Sequence, residues 1–137
     1  MIIKSYEISK INIKKINFLL FYGKNDGQKK DVLNILIPNI NEIHNYEERE
    51  ILDNQNILFE HLLSKSLFEE HKIIIIKRAT DKILNIIKEL EEKKIDDVII
   101  INSDNLEKKS KLRQFFEKDK NKICVPFYPD TPQTLSR

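Results

Sequence analysis

The sequence of 137 residues contains few glycines, histidines and cysteines, and each scarcity excludes a class of site. A single cysteine, Cys124, cannot form a disulfide within the chain, which indicates a reducing compartment. The three scattered histidines offer no metal-ligand spacing. No apolar run approaches the roughly 20 residues that a membrane helix needs, and the N-terminus lacks the apolar segment of a signal peptide. We therefore expect a cytoplasmic protein with no bound metal and no membrane contact.

The charges of the chain nearly balance, because 24 basic and 22 acidic residues leave a formal net charge of +2. That balance neither requires nor excludes a nucleic-acid partner. Basic residues do gather in one segment, which we call the basic segment: Lys108, Lys109, Lys111, Arg113, Lys118, Lys120 and Lys122. Since acidic residues flank them, we interpret the basic segment as a solvated face and keep nucleic-acid binding as an alternative.

Apolar runs alternate with helical patterns along the chain, whose length suits one domain. Five runs predict strands: NFLLFY (17–22), part of NEIHNYEE (41–48), HKIIIIK (71–77), DDVIIIN (96–102) and KICVPFY (122–128). Apolar residues at helical spacing predict core stripes of four helices: Val32, Leu33 and Leu36; Leu58, Phe59, Leu62 and Leu63; Ile83, Ile86, Ile87 and Leu90; Leu112, Phe115 and Phe116. Thr80 or Asp81 is expected to cap the third helix. This alternation predicts a parallel sheet covered by helices on both faces.

The segment GKNDGQKK, residues 23–30, follows the first predicted strand and invites comparison with a phosphate-binding loop. Only three residues separate Gly23 from Gly27, and Gln28 displaces Lys29 from its expected place. No Ser or Thr follows to bind Mg²⁺. We therefore interpret Gly23 and Gly27 as residues of a tight turn, which together with Lys29 forms a degenerate nucleotide loop.

The acid pair that binds Mg²⁺ at the end of a central strand in nucleotide hydrolases is also missing. Lys77 and Arg78 follow the third predicted strand, and Asp104 is the single carboxylate after the fourth. We expect Lys77 and Arg78 to lie at the surface, with pairing to Asp104 as the alternative. No other catalytic constellation stands out, so the residues predict neither ATP hydrolysis nor a cofactor.

Three segments of the chain resemble the N-terminal domain of the delta subunit of bacterial DNA polymerase III, the clamp-loader subunit that opens the sliding clamp. They are FLLFYGKNDG (18–27), LSKSLFEEHKIIIIKRATD (63–81) and LEKKSKLRQFFEKDKNKICVPFYPD (106–130). The third is most similar to alphaproteobacterial members. The resemblance implies a three-layer α/β domain of AAA+-like, P-loop NTPase type, with a five-stranded parallel sheet and a degenerate nucleotide loop. It assigns 1–130 to this domain and 131–137 to the start of a truncated lid-domain helix.

The resemblance also implies a site that contacts the clamp. Leu67 and Phe68 match the apolar pair of the family, and Ser64, Ser66 and Glu69 would contribute polar contacts around it. From the residues alone, the core is the favoured place for Leu67 and Phe68, because Leu67 lies four positions after Leu63 on a predicted helix. The resemblance reverses this preference and implies an exposed pair.

The partners implied by the resemblance are the sliding clamp (beta subunit), other clamp-loader subunits bound through C-terminal domains, and DNA within the full complex. The holoenzyme is a nucleotidyltransferase, whereas this domain is expected to be non-catalytic. Two alternatives stay open at this point: a divergent P-loop nucleotide hydrolase, and a nucleic-acid-binding α/β domain.

Overall fold

The computed structural model describes residues 2–4, 7, 17–36, 43–56, 59–60, 73–93 and 98–127. Its elements are β1 (Phe18–Gly23), α1 (Asp26–Leu36), β2 (Ile43–Glu47), α2 (Glu48–Asp53), β3 (Ile73–Lys77), α3 (Leu84–Glu92), β4 (Val98–Ser103), α4 (Lys111–Lys118) and β5 (Ile123–Phe127). A 3₁₀ turn, Asp81–Ile83, leads into α3. The described residues of 55–60 are also helical. Each of the five predicted strands is thereby confirmed within the described ranges.

The five strands form one parallel sheet in the order β2-β3-β4-β1-β5. The first strand thus lies between the fourth and the fifth. In the register of the sheet Tyr22 pairs with Ser103, and Gly23 pairs with Phe127. The carboxyl ends of β1, β4 and β5 therefore lie level at one edge of the sheet.

Side chains that alternate along the strands build two apolar cores, one on each face of the sheet. On one face Leu20 and Ile101 pack in a cluster with residues of α2, α3 and α4. On the other face Leu19 and Ile100 pack with Val32 of α1. Each large aliphatic side chain that leaves water in this way contributes about 1.5–3 kcal/mol. The predicted α/β fold, with helices on both faces of a five-stranded parallel sheet, is confirmed at this level.

The predicted helical stripes supply most of these contacts. All four residues of the α3 stripe are buried: Ile83, Ile86, Ile87 and Leu90. In α4, Leu112 and Phe116 are buried and Phe115 packs against the same core. The predicted cap is Thr80, whose Oγ1 accepts a hydrogen bond from the Lys82 N–H at 3.3 Å.

The β5 edge of the sheet is extended by the first residues of the chain. The Ile3 N–H donates to the Cys124 carbonyl at 2.9 Å, and Ile2 forms a parallel bridge with Cys124. Backbone groups of residues two apart along a strand face the same neighbouring strand. The backbone nitrogen of Pro126, like the carbonyl of Cys124, therefore faces this outer edge, so the missing N–H of the proline breaks no hydrogen bond between β5 and β1. Within the described ranges, no helix is long and apolar enough to cross a bilayer.

Candidate functional site

The carboxyl ends of β1 and β4 lie side by side, but the helices that follow them leave on opposite faces of the sheet. Helix α1 follows β1 on one face, and α4 follows β4 on the other. In open α/β sheets this divergence makes a crevice outside the strand ends, in which ligands commonly bind. The crevice between β1 and β4 is therefore the candidate site.

The connection from β1 to α1 is too short to enclose a phosphate group, because it consists of Lys24 and Asn25 only. The Asn25 Oδ1 atom accepts a hydrogen bond from the Gln28 N–H at 3.1 Å, as an N-cap residue does. Asp26 adds a carboxylate to the first turn of α1, where it disfavours a bound anion. This helix start is capped by the chain itself and carries a negative charge.

The predicted loop 23–30 is wrong in its extent, because α1 begins at Asp26 and both Gly27 and Lys29 are helical. The tight-turn interpretation is confirmed for Gly23, which has a φ of 117°. A Cβ atom on Gly23 would also lie 1.8 Å from the Phe127 carbonyl oxygen. The tight-turn interpretation is wrong for Gly27, where a Cβ atom would meet only Asn25 Oδ1 at 3.7 Å. The close approach of β5 therefore explains Gly23, and no phosphate is needed to explain it.

The side chain of Lys29 extends from α1 into the crevice. The sequence predicted Lys29 in a loop and gave no sign that its side chain is buried at this place. Its Nζ donates to Asn102 Oδ1 at 2.7 Å and to the Ser103 carbonyl at 2.9 Å. A third oxygen, Asp26 Oδ1, lies 3.7 Å from the same nitrogen. Only 3% of Lys29 is exposed. The ammonium group thus closes the end of β4 from the α1 side.

Two opposing effects act on the charge of Lys29. Burial lowers the pKa of its ammonium group below the ordinary lysine value, while the negative charges of Asp26 and Asp104 act against that shift. Because a buried ammonium group needs acceptors and counter-charges, the two hydrogen bonds and these carboxylates together keep it in place.

Lys77 and Arg78 lie at the surface, as predicted. Arg78 Nε lies 3.5 Å from Glu47 Oε1 in an exposed ion pair, which contributes less than about 1 kcal/mol. Arg78 also has a φ of 55°, in the left-handed region that is uncommon for residues other than glycine. The alternative pairing with Asp104 is wrong for Arg78, whose ion-pair partner is Glu47.

A pair of hydrogen bonds ties the end of β3 to the start of α2. Glu48 is buried, and its Oε1 accepts from the Thr80 hydroxyl at 2.7 Å. Its other oxygen, Oε2, accepts from the Thr80 N–H. A carboxylate that accepts both donors of one residue holds that residue firmly. The Glu48 side chain therefore has a structural partner and is not free to act as a general base.

Asp81, which follows Thr80 in the chain, places its carboxylate at the N-terminus of α4. Its carboxylate accepts from the Ser110 hydroxyl at 2.6 Å, from the Leu112 N–H at 3.2 Å and from the Lys111 N–H at 3.3 Å. The hydrogen bond from Ser110 lowers the pKa of the Asp81 carboxyl, and the two backbone N–H groups act in the same direction. A groove of about 500 Å³ lies beside this contact, but the helix N-terminus that borders it already holds the Asp81 carboxylate.

The basic segment is only partly available to solvent. Five of its side chains are exposed: Lys108, Lys109, Lys111, Lys118 and Lys120. Arg113 instead donates from Nε to Glu117 at 2.6 Å and lies 4.9 Å from the centre of the Tyr22 ring. Lys122 is buried and donates to Glu91 at 2.8 Å. Two of the seven cations thus stabilise the domain itself. The interpretation of the basic segment as a solvated face agrees with the five exposed lysines but is wrong for Lys122, which is buried.

Metal and thiol chemistry have no support in the part of the chain that the structure describes. No group of three or more His, Cys, Asp or Glu side chains there could hold a metal ion. Burial raises the pKa of the Cys124 thiol to about 12, so the nucleophilic thiolate is scarce at neutral pH.

The residues predicted to contact a clamp lie outside the described residues: Ser64, Ser66, Leu67, Phe68 and Glu69. They fall between Glu60, the last described residue before this gap, and β3, and they stay a prediction. The 131–137 segment, expected to start another helix, lies outside the described residues as well. Comparison of the chain with protein-family models and with curated proteins finds no match.

Proposed function

We propose that the chain is a clamp-loader domain of the delta type, which binds the sliding clamp of DNA polymerase III and helps to open the ring without hydrolysing ATP. One observation carries the second half of this proposal: the buried ammonium group of Lys29 fills the crevice in which a P-loop layout would hold its phosphates. The missing Mg²⁺ ligands after β3 and β4 support the same conclusion.

The finer assignment of the fold, as AAA+-like, belongs to this proposal. A first strand in the interior of a parallel sheet, a turn and then a helix is the layout of a P-loop domain. The order of the resembling segments along the chain agrees with that layout. A domain that keeps the layout but fills its own crevice suits a subunit whose work is binding, with ATP held by partner subunits.

The clamp contact is proposed for Leu67 and Phe68. Two large apolar side chains that enter a preformed cleft contribute together roughly 3–6 kcal/mol. That gain must offset the loss of rigid-body freedom on association. Two anchors alone therefore bind weakly, so polar contacts from Ser64, Ser66 and Glu69 at the rim are needed to strengthen the complex.

The test is surface plasmon resonance of the domain over immobilised sliding clamp from the same organism. We expect saturable binding by the native chain. The double variant Leu67→Ala/Phe68→Ala should lose binding by a factor of about 100 or more, because removal of a hot-spot pair commonly costs 3 kcal/mol or more. Its melting temperature should stay within about 2 °C of the native value, since exposed side chains contribute little to stability.

A matched control removes two exposed aliphatic side chains elsewhere, in Ile35→Ala/Ile43→Ala. This control should bind the clamp as the native chain does. A large loss of melting temperature in the Leu67/Phe68 variant would place that pair in the core and contradict the proposed contact. Absence of binding by a folded native chain would contradict the function itself.

The two rival functions give different results in simple titrations. Saturable binding of a fluorescent nucleotide with Mg²⁺ in the micromolar range would favour a divergent hydrolase. Salt-dependent binding of duplex DNA, reduced by neutralising Lys108, Lys109 and Lys111, would favour a nucleic-acid-binding domain.

A further inference from the structure

The crevice between β1 and β4 is lined by oxygen atoms that all point to one nitrogen. Asn102 Oδ1 and the Ser103 carbonyl accept hydrogen bonds from Lys29 Nζ at 2.7 and 2.9 Å. Asp26 Oδ1 lies 3.7 Å away. Neutral acceptors at hydrogen-bonding distance with a carboxylate just beyond them form a binding set for a cation that carries N–H donors.

The two hydrogen-bond acceptors come from a distant part of the chain, whereas the exposed Asp26 lies on α1 three positions before Lys29. Lys29 and Asn102 are 73 residues apart, and Lys29 is separated by 74 residues from Ser103. Asn102 and Ser103 end a central strand, whose position is held by pairing with β1 and β3. The acceptors are therefore placed by the sheet, independently of the lysine that they bind.

The lysine is held as a ligand would be held. It is 3% exposed, and from α1 its ammonium group reaches the end of β4. Its neighbour Lys30, on the same helix, is exposed to solvent. Two adjacent lysines thus have opposite environments, and only one of them meets the acceptors.

We propose that the crevice is a binding site for a primary alkylammonium ion, which the native chain fills with its own Lys29 side chain. The site stays formed when that side chain is shortened, because its acceptors belong to the sheet. This proposal does not rest on clamp binding, and either of the two can fail without the other.

The test uses Lys29→Ala in the full chain with added n-propylammonium. This ion has the three carbons and the ammonium group that the substitution removes. The variant should melt about 5–10 °C below the native chain, because Asn102 and Ser103 lose their donor. Added n-propylammonium should raise that melting temperature by about 3–5 °C once it is tenfold above its dissociation constant.

Three controls make the result specific. Lys30→Ala should melt as the native chain does and show no response to n-propylammonium. n-Propanol, which fills the same volume without the charge, and tetramethylammonium, which has the charge without N–H donors, should not stabilise Lys29→Ala. In Lys29→Ala/Asn102→Leu the response to n-propylammonium should fall at least tenfold in apparent affinity.

Several outcomes would overturn the proposal. Equal stabilisation by n-propanol, whose hydroxyl can donate only one hydrogen bond and carries no charge, would mean that the site does not select an ammonium ion. An unchanged melting temperature in Lys29→Ala would mean that the ammonium group contributes nothing there. Where Lys29→Ala fails to fold in buffer, refolding is carried out with n-propylammonium or n-propanol, and recovery only with the former supports the site, whereas recovery with neither or with both overturns it.

Discussion

Gly23 and Gly27 are four positions apart in the sequence but meet different physical constraints. Gly23 ends β1 with a positive φ and lies directly against the backbone of β5. Gly27 lies in the first turn of α1, where a Cβ atom would make only an ordinary contact with Asn25 Oδ1 at 3.7 Å. Only the first position therefore requires glycine, and the second lowers helix stability without a steric reason.

These two positions predict opposite effects of the same substitution. Gly23→Ala should destabilise the domain by about 2–4 kcal/mol, because the new methyl group would overlap the Phe127 carbonyl and φ would be unfavourable. Gly27→Ala should stabilise it by about 0.5–1 kcal/mol, as expected for glycine replaced by alanine in a helix. Urea unfolding of both variants measures the difference. A Gly23→Ala variant as stable as the native chain would contradict the close approach of β1 and β5.

At the scale of elements, two consecutive residues between β3 and α3 form hydrogen bonds with the starts of two other helices, α2 and α4. Thr80 is bonded to Glu48 at the start of α2, and Asp81 is bonded to Ser110 and to backbone N–H groups at the start of α4. The short stretch between β3 and α3 thereby holds the helix starts on both sides of it. Ser110 is in turn the N-cap of α4, since its hydroxyl accepts from the Arg113 N–H at 3.3 Å.

The position of Asp81 predicts a pH-dependent contribution to stability. Its folded pKa is lowered, so its stabilisation is present above the unfolded aspartate pKa of about 4 and is lost as the pH falls through the folded value. Asp81→Asn should lower the free energy of unfolding by about 0.5–1 kcal/mol near neutral pH, since solvent screens this exposed carboxylate.

Urea unfolding of the native chain and of Asp81→Asn at several pH values tests this contribution. The difference between them should narrow as the pH falls below about 4. The control is Glu107→Gln, which removes an exposed carboxylate paired with Lys109 at 3.3 Å. This control should change stability little at any pH. A difference that stays constant for Asp81→Asn down to the lowest pH would mean that its charge is not what stabilises α4.

At the scale of the whole molecule, the sheet brings distant parts of the sequence together between its two cores. The first described residues pair with β5, and β5 pairs with β1. Cys124 lies in the middle of this arrangement, fully buried and with a thiol pKa raised to about 12. The single thiol of the chain is thus protected both by burial and by its low tendency to ionise.

Thiol reactivity should therefore report unfolding of the sheet. We expect Cys124 in the native chain to react with a disulfide reagent such as dithionitrobenzoate at least about 100-fold more slowly than in urea-unfolded chain, because reaction requires exposure of the core. The rate should rise together with the loss of circular dichroism as urea is added. Rapid reaction of one thiol per chain without urea would contradict the burial of β5.

Much of the fold followed from local pattern, whereas little of the site did. The isoleucine runs 73–76 and 99–101 predicted buried central strands, and the stripe of α3 was predicted residue by residue. The extent of the first loop was wrong, because Asp26 and Gly27 look like turn residues until their helical context is known. Lys29 was predicted as part of a degenerate nucleotide loop, and nothing in its neighbours along the chain signals burial.

The sequence by itself determined which segments are strands and helices and which of their faces are apolar, because both properties depend on side chains a few positions apart. It also determined that the usual ligands for Mg²⁺ and phosphate are missing. Only the tertiary structure decided that β1 lies between β4 and β5, that Lys29 closes the crevice, and that the Asp81 carboxylate binds the start of α4. These contacts join residues about 30 to 100 positions apart, and their partners are selected by distances in the folded sheet. Local periodicity carries no information about such distances, because it depends only on side chains a few positions apart.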